Sequence, residues 1–375
     1  MSGNFRLLYL GLALAAAAAR AQVPPDPGPA YPVDHFNLDA LPAYVPAGEV
    51  TGTIRIWGSG YIAAGKTLAY WEKGFRKFHP GVTFVARLGD SLTAVPALYT
   101  GAADLGSGPR ISWNDLKAFN HTMGHDPLAI MVMSGSYNVP GWNAAFAIIV
   151  HRDNPIASLS LAQLDGIFGS ARDGGWQGIA WHPELERGAG KNLRTWGQLG
   201  LTGDWATRPI HVYGANFRYG VSQTMSDALL HGSDRWNEGI QVFTNRRLEA
   251  PDATHPDGTL LAVEQIADAI KDDPAGIGFT SIVFASGATR AVPLRVREGE
   301  AAVALTLDTV RDRTYPLADE SYLYLDRAPG RPVDRKLREF LRYVLSREGQ
   351  ADVARDGKYL PLTAAMAAEQ LRKLR

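Results

Sequence analysis

The chain has 375 residues, of which 46% are hydrophobic and 20% charged, a composition that excludes a disordered or fibrous protein and leaves room for two lobes. Lysine plus arginine and aspartate plus glutamate balance at 38 each, which argues against the basic surface of a general nucleic-acid-binding protein. There is no cysteine, so disulfides, cysteine-ligated metals, thiol catalysis and lipid attachment to an N-terminal cysteine are excluded.

The first 21 residues have the pattern of a secretory signal peptide. Arg6 is followed by an apolar run from Leu7 to Ala19, and the segment ends in the A-x-A sequence Ala19-Arg20-Ala21. The run has about 13 residues, fewer than the ~20 that a membrane-spanning helix needs. Cleavage after Ala21 would remove two of the 38 basic residues and no acidic one, which leaves a net charge of −2. We therefore expect an exported protein, periplasmic or secreted, that is soluble after cleavage.

The next segment, residues 22–51, is a proline-rich leader that we expect to be extended and to lie outside the core. Strands then alternate with helices. The first strand is predicted at Thr53–Trp57. The helix after it has one apolar face, formed by Leu68, Trp71, Phe75 and Phe78.

The middle and the end of the chain continue this alternation. Ala145–Val150 is an apolar run typical of a strand covered on both faces, and Ile210–Tyr213 and Gly276–Phe279 are predicted as further buried strands. A strongly amphipathic helix near the end presents Leu337, Phe340, Leu341, Val344 and Leu345. Strands that alternate with helices predict an α/β fold with mainly parallel sheets.

Small polar residues occupy three predicted junctions between a strand and a helix. They are Gly58-Ser59-Gly60, Gly89-Asp90-Ser91 and Arg218-Tyr219-Gly220. Glycine lets backbone N–H groups approach a ligand closely, and a helix N-terminus favours negative charge. Junctions of this kind would form an oxyanion site if they converged in space, whereas each one taken alone could be a plain helix cap.

Motifs spread over residues 52–363 occur in a characteristic order. They are Gly58-Ser59-Gly60, Gly101–Gly106 (GAADLG), His151–Pro155 (HRDNP), Leu159–Phe168 (LSLAQLDGIF), Arg194–Gly197 (RTWG), Ile210–Gly214 (IHVYG), Tyr315–Leu317 (YPL), Arg338–Gln350 (REFLRYVLSREGQ) and Tyr359–Leu362 (YLPL). In this order the chain resembles the phosphate-binding (PstS-like) periplasmic substrate-binding proteins of ABC importers. The resemblance implies an α/β fold of the type II periplasmic-binding-protein kind, with two lobes that are joined by crossover strands and close on an oxyanion.

The resemblance also implies a domain organisation and a set of partners. Lobe 1 would consist of residues 52–141 plus 284–375, and lobe 2 of residues 142–283. The protein would bind phosphate or a related oxyanion by hinge closure and would pass it to an ABC permease in the inner membrane. We expect a monomer that needs no cofactor or metal, binds no nucleic acid and is not an enzyme.

A set of candidate ligand-binding residues follows from the resemblance. The set is Ser59, Gly60, Asp90, Ser91, Ser107, Arg110, Arg218 and Gly220. Several ligands of the family are replaced here: Pro109 stands in the place of an aspartate, Ala215 in the place of an arginine, and Tyr219-Gly220-Val221 in the place of Ser-Gly-Thr.

Two interpretations of the remaining charged residues stay open. Asp90 stands where the family has a serine, and Arg110 and Arg218 lie in or beside the binding turns. In the first interpretation Asp90 accepts the proton of the ligand and one of the two arginines supplies the cation. In the second, Asp90 and Arg110 only cap helices.

A different class of protein is suggested by Val85–Thr93 (VARLGDSLT), which resembles the nucleophile block of GDSL (SGNH) esterases. Ser91 would be the nucleophile, and Asp252 and His255, in a D-x-x-H-P sequence, would be the orienting acid and the base. The two hypotheses differ in an observable way, because an esterase needs the imidazole of His255 within hydrogen-bonding reach of Ser91.

Overall fold

The computed structural model describes residues 31, 35–139, 144–255 and 257–375. The predicted signal peptide and most of the predicted leader before residue 35 lie outside the described residues. No described helix combines the length and the hydropathy that are needed to cross a membrane.

The described residues form strands, α-helices and short 3-10 turns. The strands are β1 (Gly52–Gly58), β2 (Val82–Arg87), β3 (Leu105–Gly108), β4 (Leu128–Ser134), β5 (Phe146–His151), β6 (Leu159–Ser160), β7 (Gly175–Gln177), β8 (Ala180–His182), β9 (His211–Ala215), β10 (Gln241–Phe243), β11 (Arg246–Arg247), β12 (Thr259–Leu260), β13 (Gly276–Ser281), β14 (Thr289–Ala291), β15 (Leu294–Arg295) and β16 (Glu320–Leu325). The helices are α1 (Tyr61–Ala64), α2 (Thr67–Arg76), α3 (Ala94–Tyr99), α4 (Trp113–Met123), α5 (Leu161–Phe168), α6 (Gly220–Leu230), α7 (Ala262–Lys271), α8 (Leu307–Arg311), α9 (Arg335–Val344), α10 (Arg347–Asp356) and α11 (Ala364–Lys373). The 3-10 turns are Ser91–Thr93, Pro183–Leu185, Ala189–Lys191, Trp196–Leu199, Gly203–Trp205 and Ile282–Phe284.

Two five-stranded sheets, each covered by helices, form two lobes. The first sheet has the order β2-β1-β3-β16-β4 and the second the order β10-β9-β13-β5-β14. In each sheet one strand runs against the others, namely β16 in the first and β5 in the second. Each of these is the first strand after the chain crosses from one lobe to the other. The sheets are therefore mixed, whereas the sequence predicted mainly parallel ones. The chain enters each lobe at the hinge, so its first strand there starts from the end of the sheet at which the other strands finish.

The predicted apolar faces are confirmed. Leu68, Trp71 and Phe75 on α2 are buried in the core of the first lobe, whereas Phe78 lies beyond the helix and is 38% exposed. All five predicted residues of the C-terminal amphipathic stretch are buried. The apolar run in β5 has no accessible surface from Ala147 to Val150, as expected for a strand covered on both faces.

The leader is only partly outside the core, which corrects the prediction for residues 22–51. Leu41, Tyr44 and Val50 are 2%, 6% and 6% exposed and belong to the core of the first lobe. The Tyr44 hydroxyl also donates a hydrogen bond to Glu339 Oε2 on α9 at 2.9 Å. The described residues 35–51 contain no α-helix or strand, but the apolar residues between the prolines pack against the lobe.

The return of the chain to the first lobe comes later than predicted. Residues 289–317, assigned to lobe 1 from the sequence, add β14 to β5 and β15 to β6, and their side chains Val292, Leu294 and Tyr315 are buried in the second core. The boundary predicted at residue 284 is therefore wrong, and the chain crosses back only before β16. β14 is an edge strand of the five-stranded sheet, and β15 forms a two-stranded sheet with β6. Both strands are too short for a periodic pattern in the sequence to indicate which strand they pair with.

Two crossover segments, one after β4 and one before β16, run side by side between the lobes. The amide of Gly135 donates to the carbonyl oxygen of Asp319 at 2.7 Å, and the amide of Phe146 donates to that of Leu317 at 3.0 Å. A short double connection of this kind lets two rigid lobes rotate toward each other while each core stays intact.

A buried ion cluster organises the loops of the second lobe. Arg172 donates two hydrogen bonds to the carboxylate of Asp165 on α5, at 2.6 and 2.8 Å, and Arg187 Nε lies 3.1 Å from the same carboxylate. All three residues are less than a tenth exposed. This cluster ties the segment between α5 and β9, which contains only short strands and 3-10 turns, to α5.

Candidate functional site

A cleft of about 770 Å³ lies between the two lobes. Residues 90–94 and 108–115 of the first lobe line one side, and residues 218–227 of the second lobe, at the beginning of α6, line the other. Phe146 and Asp319, next to the crossovers, also line the cleft. Five predicted ligand residues line it, namely Asp90, Ser91, Arg110, Arg218 and Gly220.

The other three predicted residues, Ser59, Gly60 and Ser107, are not among the described residues that line the cleft. Ser59 and Ser107 are 4% and 2% exposed, and the Ser59 amide donates to the Ser107 carbonyl oxygen at 2.7 Å. At Gly58 the backbone has φ +129°, and a Cβ would lie 2.1 Å from the Ser107 carbonyl oxygen. The glycine-rich junction after β1 therefore serves a close approach between two strand ends.

The N-terminus of α6 is open to the cleft. The helix has eleven residues, no side-chain cap and no acidic residue in its first turn. A Cβ at Gly220 would meet nothing within 4 Å, so the backbone is accessible to a ligand. Unpaired N–H groups and the helix dipole together make such an end attractive to an anion.

Arg218 lies just before this helix and is exposed. Its guanidinium has no ion-pair or hydrogen-bonding partner among the residues that the structure describes. A cation that is free of internal partners can bind an anionic ligand without first breaking another contact.

Arg110 faces the cleft from the first lobe but is already paired. Its Nη2 lies 3.2 Å from Glu320 Oε2, at the start of β16. Arg313, from the second lobe, pairs with the same carboxylate. Glu320 is 4% exposed, so Arg110 belongs to an ion cluster at the hinge and does not cap a helix. The N-cap of the following helix is instead Ser112, which accepts a hydrogen bond from the Asp115 amide.

Asp90 caps the 3-10 turn Ser91–Thr93, as the second interpretation of the sequence proposed. Its Oδ1 accepts a hydrogen bond from the Leu92 amide at 2.9 Å. The side chain also lines the cleft, and this hydrogen bond uses only one of its two carboxylate oxygens.

Asp227 is a cleft carboxylate that the sequence analysis missed. The residue is exposed, yet partial burial of its carboxylate raises its pKa to about 6, an effect that Asp234 reinforces and Arg110 opposes. The residue follows Gly220 by two helical turns, with Gln223 and Thr224 between them, and all four line the cleft. This spacing of three or four residues is the signal in the sequence that could have identified Asp227.

The two lobes touch beside the cleft through aromatic side chains. The ring of Trp113 on α4 and that of Trp176 on β7 have their centroids 4.6 Å apart. The ammonium of Lys117 lies 4.5 Å from the first ring centroid and 5.9 Å from the second. This contact connects the lobes at a place that is separate from the hinge.

The residues of the esterase hypothesis do not form a catalytic arrangement. His255 Nδ1 lies 3.1 Å from both carboxylate oxygens of Asp252, and its Nε2 lies 3.1 Å from Glu264 Oε1. Both ring nitrogens therefore face carboxylates, and these contacts raise the pKa of the imidazole. Ser91 lines the cleft, whereas neither Asp252 nor His255 is among the described residues that line it.

Comparison with known proteins identifies the family. The model of the PBP superfamily domain matches residues 46–348. The phosphate-binding protein PstS of Pseudomonas aeruginosa, in strains PAO1 and UCBPP-PA14, is 31% identical over 337 residues, which cover 89% of this chain and 91% of that protein. The crystal structure of PstS from Borrelia burgdorferi is similar in fold, with a TM-score of 0.51 at 12% identity, and the match covers 83% of this chain and 99% of that one. The chain therefore belongs to the PBP superfamily and, within it, to the family of the phosphate-binding protein PstS.

Proposed function

We propose that this protein is an exported solute-binding protein that captures phosphate or a related oxyanion for an ABC-type importer. The observation that carries the proposal is the open N-terminus of α6 with Arg218 beside it, in a cleft between two hinged lobes. Membership of the PstS family supports the same conclusion. The predicted signal peptide supports a periplasmic or secreted location.

Binding would proceed by closure of the lobes on the anion. The second lobe offers the amides at Gly220 and Val221 together with Arg218, and the first lobe offers Arg110. Because these groups lie on opposite sides of the cleft, a ligand touches all of them only when the lobes are close together. The anion would therefore shift the population toward the closed form, which is the form that a membrane permease would recognise.

A thermal-shift panel tests the proposal. Phosphate, sulfate and phosphorylated organic compounds are added to the mature protein, with chloride at equal ionic strength as the control. At a ligand concentration 100 times the Kd, the free energy of unfolding should rise by about 2.7 kcal/mol. A panel in which no oxyanion shifts the transition more than chloride does would contradict the proposal.

We further propose that the protein has no esterase activity. The two carboxylate partners of His255 support this, because an imidazole held between them has no free nitrogen to accept a proton from Ser91. Turnover of p-nitrophenyl acetate by the wild type, Ser91→Ala and His255→Ala should stay at background. Turnover that both substitutions abolish would establish the esterase function instead.

A further inference from the structure

The cleft is large even though the lobes already touch. The Trp113–Trp176 contact bridges them at 4.6 Å, yet the cleft keeps a volume of about 770 Å³. A tetrahedral anion such as phosphate occupies on the order of 60 Å³, about twice the share of one water molecule in the liquid. Cavities of several hundred cubic ångströms are typical of sites for small organic molecules.

The cleft walls also carry more apolar side chains than the binding of an inorganic anion requires. The apolar lining residues include Leu92 and Ile111 from the first lobe, Val221 and Phe284 from the second, and Phe146 next to a crossover. Leu92 is 67% exposed and packs into none of the hydrophobic cores of the described residues. A large apolar side chain left open in a cleft gains free energy when an apolar ligand group covers it.

The charges of the cleft do not favour a small, highly charged ligand. Four carboxylates line it, those of Asp90, Asp115, Asp227 and Asp319, against the two guanidinium groups of Arg110 and Arg218. Arg110 is in addition paired with the carboxylate of Glu320. Few positive groups are thus available to compensate the desolvation of an anion, and part of the affinity has to come from apolar contact.

We infer that the ligand is a phosphate monoester or a phosphonate that carries an apolar organic group. The anionic head lies at the N-terminus of α6 beside Arg218, and the organic group packs against Leu92, Ile111 and Val221. This inference rests on the proposed function and narrows its ligand class.

Isothermal titration calorimetry with the mature protein tests the inference. The probes are inorganic phosphate, phenyl phosphate and phenylphosphonate, with phenol as a control for the ring alone. Phenyl phosphate and phenylphosphonate should bind at least tenfold more tightly than phosphate, and phenol should not bind. If phosphate binds as tightly as the two organic probes, or more tightly, the inference is wrong and the proposed function stands. If no phosphorus-containing probe binds, the inference is wrong, and the proposed function then stands only if another oxyanion of the thermal-shift panel, such as sulfate, binds.

A matched pair of variants locates the organic group. Leu92 and Val45 are both 67% exposed, but only Leu92 lines the cleft, so neither substitution to serine should disturb a core. Leu92→Ser should reduce the advantage of phenyl phosphate over phosphate at least threefold, and Val45→Ser should leave it unchanged. An advantage that survives Leu92→Ser, or that falls equally in both variants, would overturn the assignment of the organic group to this wall.

Discussion

Replacement of Arg218 by alanine should weaken oxyanion binding while leaving the fold intact. The residue is exposed, and its guanidinium has no partner among the described residues, so the substitution removes no internal contact. It also leaves the N-terminus of α6, with its open amides, in place. The change therefore isolates the contribution of one cation to the affinity.

The size of the effect follows from the chemistry of the pair. A hydrogen bond between charged groups contributes about 1.5–3 kcal/mol, which corresponds to about 10- to 150-fold in Kd. The helix N-terminus, worth roughly 0.3–1 kcal/mol, remains in the variant. Residual binding of the anion should therefore be measurable. Arg110→Ala is a less clean test, because it also removes a partner of the buried carboxylate of Glu320.

Calorimetric titration with the tightest oxyanion of the panel provides the measurement, and Arg152→Ala is the matched control. Arg152 is an exposed arginine of the second lobe that does not line the cleft. Thermal unfolding without ligand should be the same for both variants and the wild type. A Kd for Arg218→Ala within twofold of the Arg152→Ala value would refute the assignment of Arg218 to the anion site.

Three further substitutions test other parts of the structure. Asp227 has a pKa raised to about 6, so the free-energy cost of its charge in the folded state is absent below about pH 4 and complete above pH 7. At pH 8, Asp227→Asn should therefore be more stable than the wild type by about 1 kcal/mol after solvent screening, which raises the Tm by about 2–4 °C. At pH 4 the two proteins should not differ. Asp165→Asn leaves two buried guanidinium groups without a carboxylate and should cost about 3 kcal/mol or more, which lowers the Tm by roughly 6–12 °C. Trp113→Ala removes the ring contact with Trp176, worth about 0.5–1.5 kcal/mol, and should weaken ligand binding by about 2- to 12-fold while the radius of gyration without ligand increases.

Each of these has an outcome that would contradict it. For Asp227→Asn that outcome is a stability difference of equal size at pH 4 and pH 8. Asp153→Asn is the control for Asp165→Asn, because the Asp153 side chain is 73% exposed, and equal losses of Tm in the two variants would refute the role of the buried cluster. For Trp113→Ala, unchanged affinity and unchanged scattering would show that the contact does not influence closure.

The local pattern of apolar and polar residues was sufficient to predict the main helices and strands of the two cores. The apolar faces of α2 and α9 and the uninterrupted run in β5 were predicted with their buried residues, because burial imposes a period of 3.6 on a helix and removes the alternation from a fully covered strand. The order of the short motifs along the chain was sufficient to identify the family. These features depend on neighbours in the chain, so the sequence alone determined them.

Only the tertiary structure decided how distant segments meet. Asp227 faces Arg110 across the cleft, Glu320 joins arginines of both lobes at the hinge, and the aromatic contact beside the cleft pairs Trp113 with Trp176. The same holds for the packing of residues 41–50 on the first lobe and of residues 289–317 on the second. In each case the partners are far apart in the chain and have no common period. The contacts between the lobes depend in addition on how the hinge places the two lobes.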